Sequence, residues 1–164
     1  MSDKIIKNKL IASPRDFFLH LLAIITLYAS AISVLVLLFQ YVNILFPDEL
    51  DYYSRLRYDS LIRSALSVLI VVFPAYIISS WILAKAYIKN IEKRKLRIRK
   101  WLIYFTLFVA AVVVIVDLVV LVNHFLGGEL TTRFILKVIS VFLVTGSIFG
   151  YYLWDIKRDD KTLL

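Results

Sequence analysis

The sequence predicts an all-α, polytopic membrane protein, built as an antiparallel bundle of four transmembrane helices. Of its 164 residues, 61% are hydrophobic, whereas an ordinary soluble domain is about 45–50% apolar. The apolar residues form four runs, and about 20 apolar residues in a helix are enough to cross a bilayer. Membrane strands would instead alternate polar and apolar residues over segments of about 10 residues. We therefore predict one domain over residues 1–164, with spans near 15–46, 61–85, 101–124 and 132–154.

The first span follows a basic tail and begins at Pro14, a residue favoured at the first position of a helix. A basic tail followed by Ala29-Ser30-Ala31 has the features of a signal peptide and its cleavage site. The apolar run continues well past that point to Phe46. We therefore expect an uncleaved membrane span.

The second span carries a proline near its middle and a row of polar residues along one side. Pro74 lacks a backbone N–H, so a kink is expected there. At 100° per residue, Ser60, Arg63, Ser67 and Pro74 fall within one narrow arc. We expect that arc to face protein or water.

The connection at residues 85–100 is strongly basic, with eight Lys or Arg residues and a single acid, Glu92. Such segments set the orientation of membrane proteins and attract anionic lipid headgroups. No interleaved aromatic residues favour base stacking, so we expect lipid and no nucleic acid as the partner.

The distribution of basic residues predicts the orientation. The two tails and the segment 85–100 together hold 15 Lys and Arg residues, whereas the opposite side holds 5. The positive-inside rule then places both termini in the cytoplasm. We expect a multi-pass protein of the plasma membrane.

The unusual chemistry lies between Asp117 and Lys137, where one apolar helix ends and the next begins. Ionisable residues within a membrane are costly, so they need partners or a function. Two antiparallel helices joined by a short turn place residues equally far from the turn at equal depth. We therefore predict an Asp117–Lys137 ion pair, with Arg133 near Glu129 or His124; a structural role and a functional role both stay open.

These charges suggest a polar pocket at the end of the bundle opposite the termini. Because positive groups outnumber negative ones, the pocket suits an anion, a lipid headgroup or an acidic protein segment. Polar residues of the first span (Thr26, Ser30, Ser33 and Gln40) are expected to contribute to it. The candidate binding residues are Arg63, Asp117, His124, Glu129, Arg133 and Lys137.

Two pairs of glycines have different expected roles. Gly127 and Gly128 indicate a turn, since no preceding strand or Gly-Lys-Ser/Thr sequence suggests a phosphate loop. Gly146 and Gly150 form a G-x-x-x-G sequence, which permits close helix packing. That packing can occur within the bundle or between two copies in a homodimer, and the sequence leaves both open.

No cofactor or metal is expected. The chain has no cysteine. Its two histidines, His20 and His124, lie near opposite ends of different spans, about 30 Å apart across the bilayer, so they cannot share one haem iron.

Several segments are similar to a bacterial family of small four-span membrane proteins known only as a domain of unknown function. They read SPRDFFLHLLAIITLY, EKRKLRIRKWLIYFTLF, LGGELTTRFILK and FGYYLWDIKR, and GGELTTRF and GYYLWD are the most specific. The resemblance covers nearly the whole chain. It implies an integral membrane protein with this domain as its only unit, and it implies no activity, ligand or catalytic residue.

A looser likeness to voltage-sensing domains rests on four spans, an acid on the third and basic residues on the fourth. Only Arg133 and Lys137 match, and no row of arginines is present. Because one charge contributes about 2.3 kcal/mol per 100 mV, two charges would respond weakly.

The leading hypothesis is a non-enzymatic module that binds a partner or a lipid, because no nucleophile, base and metal are assembled. Ion or proton conduction along Asp117, His124 and Lys137, or a voltage-sensor-like role, is the alternative. A membrane redox protein using the two histidines is the second alternative.

Overall fold

The structure is a computed structural model that describes residues 14–47, 54–89, 97–128 and 131–161. Within these ranges the chain forms four helices: α1 (Pro14–Leu45), α2 (Ser54–Lys89), α3 (Arg97–Leu126) and α4 (Thr132–Lys161). Each is long and apolar enough to cross a membrane. The predicted all-α bundle of four membrane-spanning helices is confirmed.

Successive helices run antiparallel, as their side-chain contacts show. His20 in the first turns of α1 meets Tyr87 near the end of α2. Arg99 at the start of α3 likewise meets Asp155 near the end of α4. We call the end of the bundle that holds these contacts the terminal end, since α1 starts and α4 finishes there. The other end, where α1 and α3 finish, is the distal end.

Helix α1 is the centre of the bundle. It packs against each of the other three helices, and among the described residues α2 makes close backbone contact with α1 alone. Its buried side chains are largely polar: Asp16, His20, Thr26, Ser30, Ser33, Gln40 and Asn43. Ser30 and Ser33 donate hydrogen bonds to the carbonyls of Thr26 and Ala29, at 2.8 Å each. Small side chains that are satisfied within their own helix let neighbouring helices approach closely.

The outward surface is apolar. Ile70, Val71, Phe108 and Leu126 are each at least two-thirds exposed, at 66–79%. A soluble protein rarely exposes a continuous apolar surface, because burying such surface from water is favourable. The side chains facing outward are therefore suited to lipid, and polar groups within the bundle are drawn inward.

The turn between α3 and α4 has the expected chemistry. Gly128 adopts a positive φ of 70°, which a residue with a side chain rarely adopts. Helix α4 is capped by Thr131, whose Oγ1 accepts a hydrogen bond from the backbone N–H of Phe134 at 3.2 Å. The described residues thus confirm the predicted glycine turn, and they show that Thr131 caps the helix that follows.

Candidate functional site

The predicted Asp117–Lys137 ion pair is absent, and that prediction is wrong. Oδ2 of Asp117 is buried and has no hydrogen-bond partner. The Lys137 ammonium lies 5.8 Å from the ring centroid of Phe39, on α1. Because α4 packs against α1 as well as α3, the lysine side chain lies against α1 and away from the carboxylate.

Arg133 joins three helices at the distal end. Its Nε donates to Oδ1 of Asn43 on α1 at 2.9 Å, and one terminal nitrogen donates to the Tyr58 hydroxyl on α2 at 3.3 Å. Asn43 in turn donates to Oε1 of Gln40 at 3.1 Å. Asn43 was missed as a partner, although its spacing from Gln40 places both on one face of α1.

The remaining predicted site residues do not join that cluster in the contacts described. His124 packs against the ring of Phe134, with ring centroids 4.2 Å apart. Arg63 is exposed on α2, and Glu129 lies outside the described residues. The predicted six-residue pocket stays a prediction.

Two further faces are exposed: the α2 arc predicted to face protein or water, and the α4 glycines predicted to permit close helix packing. Ser67 and Pro74 are exposed like Arg63, so no helix of the described chain covers their arc. At Gly146 and Gly150 an added Cβ would meet no atom within 4 Å. Close helix packing at these glycines therefore does not occur within the described bundle.

A cavity of about 160 Å³, lined by both polar and apolar side chains, lies at the terminal end. We call it the terminal cavity. All four helices contribute to its wall. The lining residues are His20, Ala23 and Ile24 of α1, Tyr76, Ser80, Leu83, Ala84 and Tyr87 of α2, Arg99, Leu102 and Ile103 of α3, and Tyr151, Tyr152 and Asp155 of α4.

An ion pair between α3 and α4 forms one side of the terminal cavity. A terminal nitrogen of Arg99 donates to Oδ2 of Asp155 at 2.6 Å, and the two side chains are only 6% and 15% exposed. The Arg99 guanidinium carbon also lies 5.1 Å from the ring centroid of Tyr87 on α2. A charge-assisted bond at this depth holds three helices in register.

His20 forms another part of the cavity wall, between α1 and α2. Its Nδ1 lies 2.6 Å from the carbonyl oxygen of Asp16, and its Nε2 lies 2.5 Å from the Tyr87 hydroxyl. A carbonyl oxygen only accepts, so Nδ1 carries the hydrogen and, in the neutral ring, Nε2 accepts from tyrosine. Both ring nitrogens are therefore engaged. His124 lies at the distal end, and no group of three or more potential metal-binding side chains occurs among the described residues.

A second, apolar cavity shares one lining residue with the first. It has a volume of about 380 Å³ and lies among α1, α2 and α4. We call it the apolar groove. Tyr76 lines both it and the terminal cavity. The groove residues are Leu27, Ser30, Ala31, Val34, Leu69, Phe73, Tyr76, Leu143, Val144, Ser147 and Ile148.

Comparison with known families is decisive for classification. A family model described as a domain of unknown function, DUF5671, matches residues 16–152. The chain belongs to this family. Neither the curated proteins nor the solved structures gave a match. The DUF5671 match runs from α1 into α4 and includes most of the wall of the terminal cavity, whereas Asp155 lies just beyond it. Since the family description names no activity, function has to be argued from the geometry.

The terminal cavity was not predicted from the sequence. Arg99 and Asp155 are 56 positions apart, and each stands among flanking charges that indicate only orientation. Charged residues and tyrosines near the ends of the spans were the available signal, but they do not specify which residues meet.

Proposed function

We propose that this protein is a non-enzymatic membrane module that binds a lipid, with the polar group in the terminal cavity and an acyl chain in the apolar groove. The single observation that supports it best is that the terminal cavity, which contains an ion pair, shares the wall residue Tyr76 with the apolar groove. A cavity with charged groups beside an apolar groove has the chemical division of a lipid molecule.

The position of the cavities along the bundle supports the same proposal. Arg99 and His20 lie in the first turns of α3 and α1, at the depth where helix ends reach the headgroup layer. Ser30 and Val34, which line the groove, lie near the middle of the 32-residue helix α1. A lipid bound this way keeps its ordinary orientation, with its headgroup at the membrane surface and its chain towards the bilayer centre.

Cavity size limits what the terminal cavity can take. An engineered protein cavity of about 150 Å³ holds a molecule the size of benzene, and the terminal cavity is about 160 Å³. It therefore suits a small headgroup and excludes a whole lipid. An acyl chain leaving the bilayer for the groove gains little, because lipid tails are already apolar. Selectivity must then come from the polar groups.

We place the module in the plasma membrane, with both termini in the cytoplasm. The excess of 15 basic residues over 5 on the side of the termini supports it. The terminal cavity would then open near the cytoplasmic leaflet, beside the basic segment 85–100, which would attract anionic headgroups at the surface.

Lipid binding is tested by native mass spectrometry of the full chain released from mild detergent, with bound lipids counted. Ser147→Trp fills the groove from α4, and Ser67→Trp is the matched control. Both serines are exposed and donate to the carbonyl four residues earlier, but only Ser147 lines the groove. We expect bound lipid in the wild type and in Ser67→Trp, and its loss in Ser147→Trp. Equal retention by all three proteins would overturn the proposal.

A further inference from the structure

Charge is balanced in the terminal cavity. Among its lining residues, Arg99 carries a positive charge and Asp155 a negative one, and the two are hydrogen-bonded. His20 shares its ring nitrogens with a carbonyl and a hydroxyl. A purely anionic headgroup would add a negative charge beside Asp155 without a new positive partner. A simple cation would be repelled in the same way by the positive charge of Arg99. A headgroup with both charges matches the pair.

The aromatic lining adds a preference for ammonium. Four tyrosines line the cavity: Tyr76, Tyr87, Tyr151 and Tyr152. The face of an aromatic ring attracts cations, and aromatic cages bind quaternary ammonium groups. Tyr87 already lies against Arg99, whereas Tyr151 and Tyr152 stand edge to face on α4, with centroids 5.3 Å apart. Tyr151, Tyr152 and Asp155 all line the cavity from α4, so aromatic rings and a carboxylate belong to the same wall.

The Arg99 guanidinium, which lies beside Asp155 in this ion pair, suits phosphate. A guanidinium has donors arranged for phosphate oxygens, and it keeps its charge at any physiological pH. Arg99 on α3 therefore provides the positive end of the site and Asp155 on α4 the negative end. The two ends lie within one small cavity, as phosphate and ammonium do in a phospholipid headgroup.

We propose that the terminal cavity selects a zwitterionic phospholipid, whose phosphate lies towards Arg99 and whose ammonium group lies towards Asp155 and the tyrosines. The inference rests on the proposed lipid-binding function and specifies its ligand class. It separates two roles for charge in this chain. The basic residues of segment 85–100 other than Arg99 attract anionic lipid non-specifically at the surface, whereas Arg99 lines the cavity, which discriminates by headgroup.

The test is competition between phosphatidylethanolamine and phosphatidylglycerol with identical acyl chains. The protein is placed in nanodiscs that contain equal amounts of the two lipids, and the lipid that it retains is identified by mass spectrometry. We expect the wild type to retain phosphatidylethanolamine over phosphatidylglycerol by about tenfold, which corresponds to about 1.4 kcal/mol. Asp155→Asn keeps an oxygen for Arg99 and removes the negative charge. It should reverse the preference towards phosphatidylglycerol.

A second variant guards against a folding defect in Asp155→Asn. Tyr151 is 53% exposed, so Tyr151→Leu removes one ring at little cost to packing, and it should reduce the preference while total bound lipid is kept. Lys157→Gln is the control, since Lys157 is exposed, lies outside segment 85–100 and lines neither cavity. It should leave the preference for phosphatidylethanolamine intact.

The outcomes separate the two proposals. Retention of neither lipid would overturn the lipid-binding function itself. Retention of both lipids equally, or a wild-type preference for phosphatidylglycerol, would leave lipid binding standing and overturn the zwitterionic selectivity. An unchanged preference in both folded variants, Asp155→Asn and Tyr151→Leu, would also overturn it.

Discussion

The ion pair between Arg99 and Asp155 offers the sharpest test of how the bundle is held together. The perturbation is a double-mutant cycle of Arg99→Met, Asp155→Leu and the combined variant. Each single change leaves a charge in a site where the side chains are 6% and 15% exposed. Removing one partner of a buried pair costs about 3–5 kcal/mol, because the remaining charge stays buried and uncompensated. The partial exposure of Asp155 places the expected cost near the lower value, about 3 kcal/mol.

The combined variant should be much less destabilised than the sum of the single changes. Replacing both charges with apolar groups of similar volume is often neutral or stabilising. We therefore expect the double variant to lie within about 1 kcal/mol of the wild type, with a coupling energy of several kcal/mol.

The assay is reversible unfolding of the full chain in mixed micelles of mild detergent and dodecyl sulfate, followed by circular dichroism. Lys85→Met is the control, since its ammonium lies 4.9 Å from the Trp81 ring at an exposed site and should contribute at most about 1 kcal/mol. If each single variant costs less than about 1 kcal/mol, or the costs simply add within about 0.5 kcal/mol, the reasoning is refuted.

Three further predictions concern other parts of the bundle. Arg133→Gln should lower the free energy of unfolding by about 1–2 kcal/mol, since interhelical hydrogen bonds in membranes contribute about 0.6–1.7 kcal/mol each. Adding Asn43→Ala to this variant should lower the free energy of unfolding little further in the same assay. If the two losses simply add, the shared contact between Arg133 and Asn43 is contradicted. Asp117→Leu should stabilise the chain by about 1–3 kcal/mol, because a buried oxygen without a partner is removed; a lower unfolding midpoint would show that the carboxylate has a partner. Gly146→Ala and Gly150→Ala should leave the monomer as stable as the wild type, since no atom lies within 4 Å of the added Cβ. If the free energy of unfolding falls by more than about 1 kcal/mol at protein concentrations where the chain is monomeric, the open environment is contradicted.

The turn at the distal end could be predicted from the local sequence. A glycine with positive φ and a threonine cap depend on residues within four positions of each other, so their pattern can be recognised without the fold. The predicted Asp117–Lys137 ion pair was wrong because it depends on more than local sequence. Equal distance from a turn predicts equal depth, but the direction of each side chain depends on which neighbour its helix packs against. Lys137 lies against Phe39 of α1, and no rule based on the α3–α4 hairpin alone contains that helix.

The importance of α1 also depends on packing. Its serines and threonine have the hydrogen-bonding pattern of residues satisfied within their own helix, which the sequence allows but does not require. Only the assembled bundle shows that α1 contacts all three other helices and buries its polar side.

By itself the sequence determined the class of this protein, its four spans and their alternation, because hydrocarbon thickness and backbone hydrogen bonding leave long apolar runs one solution. It also predicted which side should hold the termini. The tertiary structure determined which side chains and cavities lie next to each other. Arg99 and Asp155 meet from 56 positions apart, and Tyr76 lines both the terminal cavity and the apolar groove. Apolar periodicity specifies that a helix is buried in lipid, but the rotation of each helix about its own axis is set by close packing against its neighbours, and that rotation creates the site.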